Sequence, residues 1–122
     1  MQFQWYDPDT GAPVISIANY GINFSSGAID VLGKPIYIKI GIDSENNILG
    51  IKPLQEEEDG VIKFISRERQ GNVRITSKDF IRFIKSKLLD EDIIEDSAKK
   101  YIAKWDKDNE ILIINLNDPI QK

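Results

Sequence analysis

The segments GIDSENNILGIKPL, residues 41–54, and KWDKDNEILIINL, residues 104–116, repeat one pattern. Asp43 corresponds to Asp106, Asn46 to Asn109, Ile48 to Ile111, Leu49 to Leu112 and Ile51 to Ile114, always 63 positions apart. Each segment has a polar turn followed by β-branched and aliphatic residues, and each reads as a β-hairpin.

The correspondence extends upstream at a second constant offset. In YGINFSSGAIDVLG and GNVRITSKDFIRFI, Ile22 matches Val73, Phe24 matches Ile75, Ser25 matches Thr76, Ser26 matches Ser77, Ile29 matches Phe80 and Leu32 matches Phe83, all 51 positions apart. Taking 51 from 63 leaves an insertion of 12 residues in the second copy, where the acidic run DEDIIED (90–96) lies. Both copies read strand, helix, strand, strand. A diverged tandem repeat is preferred over chance recurrence of a common hairpin pattern. One βαββ half leaves an apolar sheet face uncovered, and a second half related by a pseudo-two-fold axis covers it.

The expected fold is therefore α+β, a β-rich single domain over 1–122. It consists of an N-terminal hairpin (1–20), a repeat half (21–54), a polar linker QEEEDG (55–60) and a second half (61–117). In the hairpin, FQWY turns at Asp7–Gly11 into a strand carrying Val14, Ile15 and Ile17. Ser25 or Ser26 caps a short helix that Gly33 ends, and Thr76 or Ser77 caps a longer one. At 100° per residue that second helix sets Phe80, Phe83, Ile84 and Leu88 against the core, with Lys78, Arg82 and Lys85 on the opposite face. Ile36, Ile38, Ile40 and Ile42 share one face of a strand, and Trp5 and Trp105 are expected in the core or at its edge.

Composition excludes much chemistry. The 122 residues contain no cysteine and no histidine, which removes disulfides, thiolate nucleophiles, imidazole bases and the usual zinc ligands. DKDNE (106–110) spaces its acids like the start of a calcium loop, but Ile111 stands where glycine is required and Asn117 where a bidentate carboxylate is required. A polar turn is the better reading. The glycines occur singly, so there is no phosphate-cradling loop. No catalytic residue, metal ligand or cofactor site is expected, and the protein is read as a non-enzyme. MQFQWYDPDT lacks the basic and apolar regions of a secretion signal, and no apolar run of about 18 residues occurs, so the expectation is a cytoplasmic protein with no membrane partner.

The net charge of −4 is unevenly distributed. Residues 63–87 hold eight basic and two acidic side chains, net +6, against eight basic and eighteen acidic elsewhere, net −10. Arg67, Arg69, Arg74, Lys78, Arg82 and Lys85 gather around one loop and one helix start, a pattern suited to phosphate contact. Two partners follow. One is duplex DNA, bound through these residues. The other is a protein partner or second copy, docked through the acidic runs EEED (56–59) and DEDIIED, with the basic residues serving as internal ion-pair partners.

GINFSSGAIDVLGKPIYIKIGIDSENNILGIKP (21–53) resembles the AbrB-like swapped-hairpin domain, and the tandem arrangement is similar to that of MraZ-like proteins. GNVRITSKDFIRFI and YIAKWDKDNEILIINL carry a fainter version, and together these stretches span roughly two thirds of the chain. The resemblance implies an interlocked β-rich barrel, dimeric or pseudo-dimeric, that binds DNA as a transcriptional regulator or acts as an antitoxin. Where that family has proline after the first strand and arginine in the helix, the first copy has Ser25-Ser26 and Asp30; only the second copy has Arg74 and Arg82 in comparable places.

Overall fold

The structure, a computed structural model, describes residues 1–5, 11–88 and 97–120. Its strands are β1 (Val14–Ala18), β2 (Gly21–Phe24), β3 (Tyr37–Asp43), β4 (Ile48–Leu54), β5 (Ile62–Lys63), β6 (Glu68–Arg69), β7 (Asn72–Thr76), β8 (Lys99–Ile102), β9 (Lys104–Asp106) and β10 (Ile111–Asn115). Among the described residues the α-helices are α1 (Ser26–Leu32) and α2 (Lys78–Lys87), and a 3-10 turn covers Ile65–Arg67. The protein is a β-rich α+β fold. No helix among the described residues is long and apolar enough to cross a membrane.

Two antiparallel sheets form, the first in the order β6-β7-β2-β1-β8 and the second in the order β5-β3-β4-β10-β9. Period-two alternation supplies each with one apolar face. Ile15, Ile17, Ile22, Phe24, Val73, Ile75 and Tyr101 of the first sheet share one cluster with Ile38, Leu49, Ile51, Leu112 and Ile114 of the second. Phe64 enters this core edge-on to Phe24, with ring centroids 4.9 Å apart. At about 25 cal/mol per Å² of apolar area, this shared interior is the main stabilising term.

Both helices begin as their sequences require, and α1 also ends so. Ser25 and Ser77 are the caps, accepting from the main-chain N–H of Ala28 (3.2 Å) and Phe80 (3.1 Å). Gly33, at φ 80°, ends α1: its N–H donates to Asp30 O and that of Lys34 donates to Ile29 O, the two bonds of a Schellman motif.

Two pairings show a particular register. In β2–β7, Asn23 lies opposite Arg74, 51 positions on, flanked by Ile22↔Ile75 and Phe24↔Val73. In β4–β10, Gly50 lies opposite Ile113, 63 positions on, flanked by Leu49↔Ile114 and Ile51↔Leu112. The hairpin turns also match. Asp43 Oδ1 accepts from the N–H of Glu45 and Asn46 while Oδ2 accepts from the Asn46 amide, and Asp106 repeats this with Asp108 and Asn109. Asn47 and Glu110, at φ 55° and 54°, close the two turns in the left-handed region.

The structure corrects several expectations. Of the hairpin expected over 1–20, residues 1–5 form no strand, and β1 turns at Asn19-Tyr20 into β2, with β2 and β8 as its register partners. The expected turn at 7–10 lies outside the described residues. Residues 55–60 are an exposed linker, but Ile62-Lys63 beyond it return to β3. On α2 the buried residues are Ile81 and Ile84, followed by Leu88 at its C-cap, with Phe80 half-buried and Phe83 43% exposed. The compact Ile81 fits where the helix meets the sheets, and the Phe83 ring is left at the margin beneath Lys87. Ile36 precedes β3 and is exposed, and Trp5, expected in the core or at its edge, is 84% exposed.

Candidate anion-binding face

Alternation with the buried residues of the first sheet turns Lys100, Ser16, Asn23 and Arg74 to its outer face. They stand in direct register across four strands, Lys100 opposite Ser16, Ser16 opposite Asn23, Asn23 opposite Arg74. With strands about 4.8 Å apart, the row is about 14 Å long. Arg74 is held over the Tyr20 ring, 4.3 Å from its centroid, a cation–π contact that fixes the guanidinium plane.

The β6–β7 hairpin adds the rest. Gln70 (φ 54°) and Gly71 (φ 81°) are both left-handed, the geometry of a tight type I′ turn. This folds Arg69 opposite Asn72 beside Arg74, with Arg67 just before on the 3-10 turn. Arg67 Nε donates to Lys63 O (2.7 Å), and Arg69 Nη1 donates to Glu68 O (2.7 Å) and Ser66 O (3.3 Å). Each guanidinium is thus oriented by main-chain oxygens, and its remaining N–H groups can serve an anion.

Arg67, Arg69, Arg74 and Lys100 line a concavity of about 590 Å³ together with neutral polar side chains that include Ser16 and Asn23. Among the described residues no carboxylate lines it, and none forms an ion pair with these four cations. Like charges held together without a counter-charge produce a positive potential that a concave wall focuses.

Of the six basic residues expected to act together, the concavity collects Arg67, Arg69 and Arg74. Lys78, Arg82 and Lys85 are on α2 and do not line it. Arg82 Nη1 is 3.2 Å from Asp79 Oδ1, an exposed pair one turn apart. Lys100 was not among those six, although its alternation with Tyr101 and Ala103 was a readable signal. The acidic run 56–59 takes a different partner, since Glu58 lies 3.0 Å from Lys39 Nζ. DEDIIED (90–96) falls outside the described residues.

Two turn carboxyls among the described residues are shifted. The Asp43 carboxyl is held below the ordinary 3.8, chiefly by the hydrogen bond from the Asn46 side chain, and Asp106 likewise by Asn109. Among the described residues no group of three or more acidic side chains is placed to hold a metal ion. Compared with protein-family models, curated proteins and solved structures, the chain matches none.

Proposed function

We propose that the protein is a non-enzymatic regulator that binds the phosphate backbone of nucleic acid, duplex DNA foremost, through the outer face of its first sheet. The observation that carries this reading is the in-register row Lys100–Ser16–Asn23–Arg74 with Arg67 and Arg69 beside it, and without a carboxylate among the described lining residues. Guanidinium and ammonium groups so placed displace condensed counterions, while serine and asparagine supply neutral hydrogen bonds to phosphate oxygens.

The same proposal includes a two-fold internal architecture. If residues 21–54 and the matching parts of 71–116 are two copies of one βαββ unit, Asn23 with Arg74 and Gly50 with Ile113 are equivalent pairs. Each pair would then lie on the axis that exchanges the copies, and the observed registers have this form. The helix caps depart from it by one residue, since Ser25 and Ser77 are 52 apart. The axis would pass between Asn23 and Arg74 within the basic row, which suits the approximate dyad of a duplex site.

The test is fluorescence anisotropy of labelled duplex across a salt series. Arg74→Ala and Lys100→Ala are each expected to weaken binding and to lower the slope of log K against log salt by about 0.9. Lys78→Ala and Lys85→Ala should change both less. With −10 carried outside residues 63–87, non-specific affinity at physiological salt should be micromolar or weaker. Absence of salt-dependent binding at low ionic strength removes the nucleic-acid reading and favours a protein partner docked on the acidic surface.

A further inference from the structure

The outer face of the second sheet carries a groove of about 840 Å³. Its floor is a pair of glycines, Gly41 opposite Gly50 in the middle of the β3–β4 ladder, and Ile48, Ile111 and Ile113 form its apolar sides. Glycine weakens a strand interior and usually answers a demand of the backbone or a close approach. Neither demand arises among the described residues. Neither residue has a positive φ; a Cβ on Gly41 would meet nothing within 4 Å, and one on Gly50 only the Ile111 Cδ1 at 3.6 Å. The neighbouring positions of both strands are rich in isoleucine. What the two missing side chains create is room.

The described residues also hold apolar side chains with nowhere to go. In MQFQW, Met1, Phe3 and Trp5 alternate with Gln2 and Gln4, the period of a strand with one apolar face. Yet residues 1–5 form no strand, and Phe3 and Trp5 are 63% and 84% exposed with their rings 5.4 Å apart. An aromatic ring laid over a strand glycine restores the packing that the glycine forgoes. The segment has no charged side chain, and Asp43, Asp59 and Asp106, which also line the groove, suit the Met1 ammonium at its end.

We propose that the groove receives the Met1–Trp5 segment of a second copy of this chain, with Phe3 and Trp5 seated over Gly41 and Gly50. Each copy owns one segment and one groove, so the exchange is reciprocal and closes as a two-fold dimer. The four rings cover about 150–250 Å² apiece, and with an equal area withdrawn from the grooves the contact removes about 1,200–2,000 Å², the size of a stable interface. The proposal does not depend on the nucleic-acid reading, because the groove and the basic row lie on different sheets.

Sedimentation velocity of the full chain over a dilution series tests it. The expected result is a reversible monomer–dimer equilibrium. Gly41→Val fills the floor in open space and raises β propensity, so it should fold normally yet weaken the dimer at least about tenfold. Phe3→Ser combined with Trp5→Ser removes the rings from exposed positions and should do the same. Mixing the two variants supplies one intact segment and one intact groove, and should restore a heterodimer that neither forms alone. A chain monomeric throughout the series overturns the proposal, as does a dimer that Gly41→Val leaves intact or a mixture that fails to associate.

Discussion

Ser25 joins three segments through one hydroxyl. It donates to Ala12 O (3.1 Å) and accepts from the N–H of Val14 (2.9 Å) and of Ala28 (3.2 Å), so it fixes the entry of β1 while capping α1. Among the described residues the Ser77 hydroxyl makes only the cap bond to Phe80. Ser25→Ala is therefore expected to cost about 2 kcal/mol and Ser77→Ala about 1 kcal/mol or less in urea unfolding. Glu110 occupies a left-handed position that an L-side chain adopts at a cost of about 1–2 kcal/mol, so Glu110→Gly should raise stability in the same assay. Acid acts through the turn aspartates. Their carboxyls titrate lower in the folded protein than in the unfolded chain, so their contribution is complete above 3.8 and is lost as pH falls through the depressed value. Thermal denaturation of the double variant Asp43→Asn, Asp106→Asn should accordingly lose steepness against pH below about 4.

Among the elements, those governed by local chemistry were readable from the sequence and those governed by docking were not. Asp43 and Asp106, Ser25 and Gly33 announce turns and helix ends through bonds they make to their own neighbourhood, and the structure places them there. The phase of α2 depended on which neighbours it meets, so Ile81 took the buried place expected for Phe83. The candidate site divided in the same way. Arg74 was assigned outward by alternation with Val73 and Ile75, but Lys100 comes from a strand paired with β1, a partner more than 80 positions distant that no local pattern reveals. Gly21 illustrates the same dependence at the β2–β7 seam. A Cβ there would lie 2.0 Å from Ile75 O, and φ is 148°, so Gly21→Ala should destabilise by several kcal/mol and loosen the seam beneath the basic row.

For the whole molecule, the two seams β2–β7 and β4–β10 tie the halves into one core, and Leu49→Ala or Leu112→Ala should each cost about 2–5 kcal/mol in a single cooperative transition. A fragment ending at residue 60 should show no cooperative transition by circular dichroism. Those seams also govern how the chain reaches its fold. β1 meets β8, with Val14 opposite Ile102, and β4 meets β10, with Ile48 opposite Asn115, so decisive contacts join residues separated by more than half the sequence. Such closures place folding in the slow range of β proteins, about milliseconds to seconds. On the ribosome, β4 waits with an unpaired edge and exposed isoleucines until residues beyond 110 emerge, which makes the nascent first half the stage at which chaperone shelter or misassembly is decided.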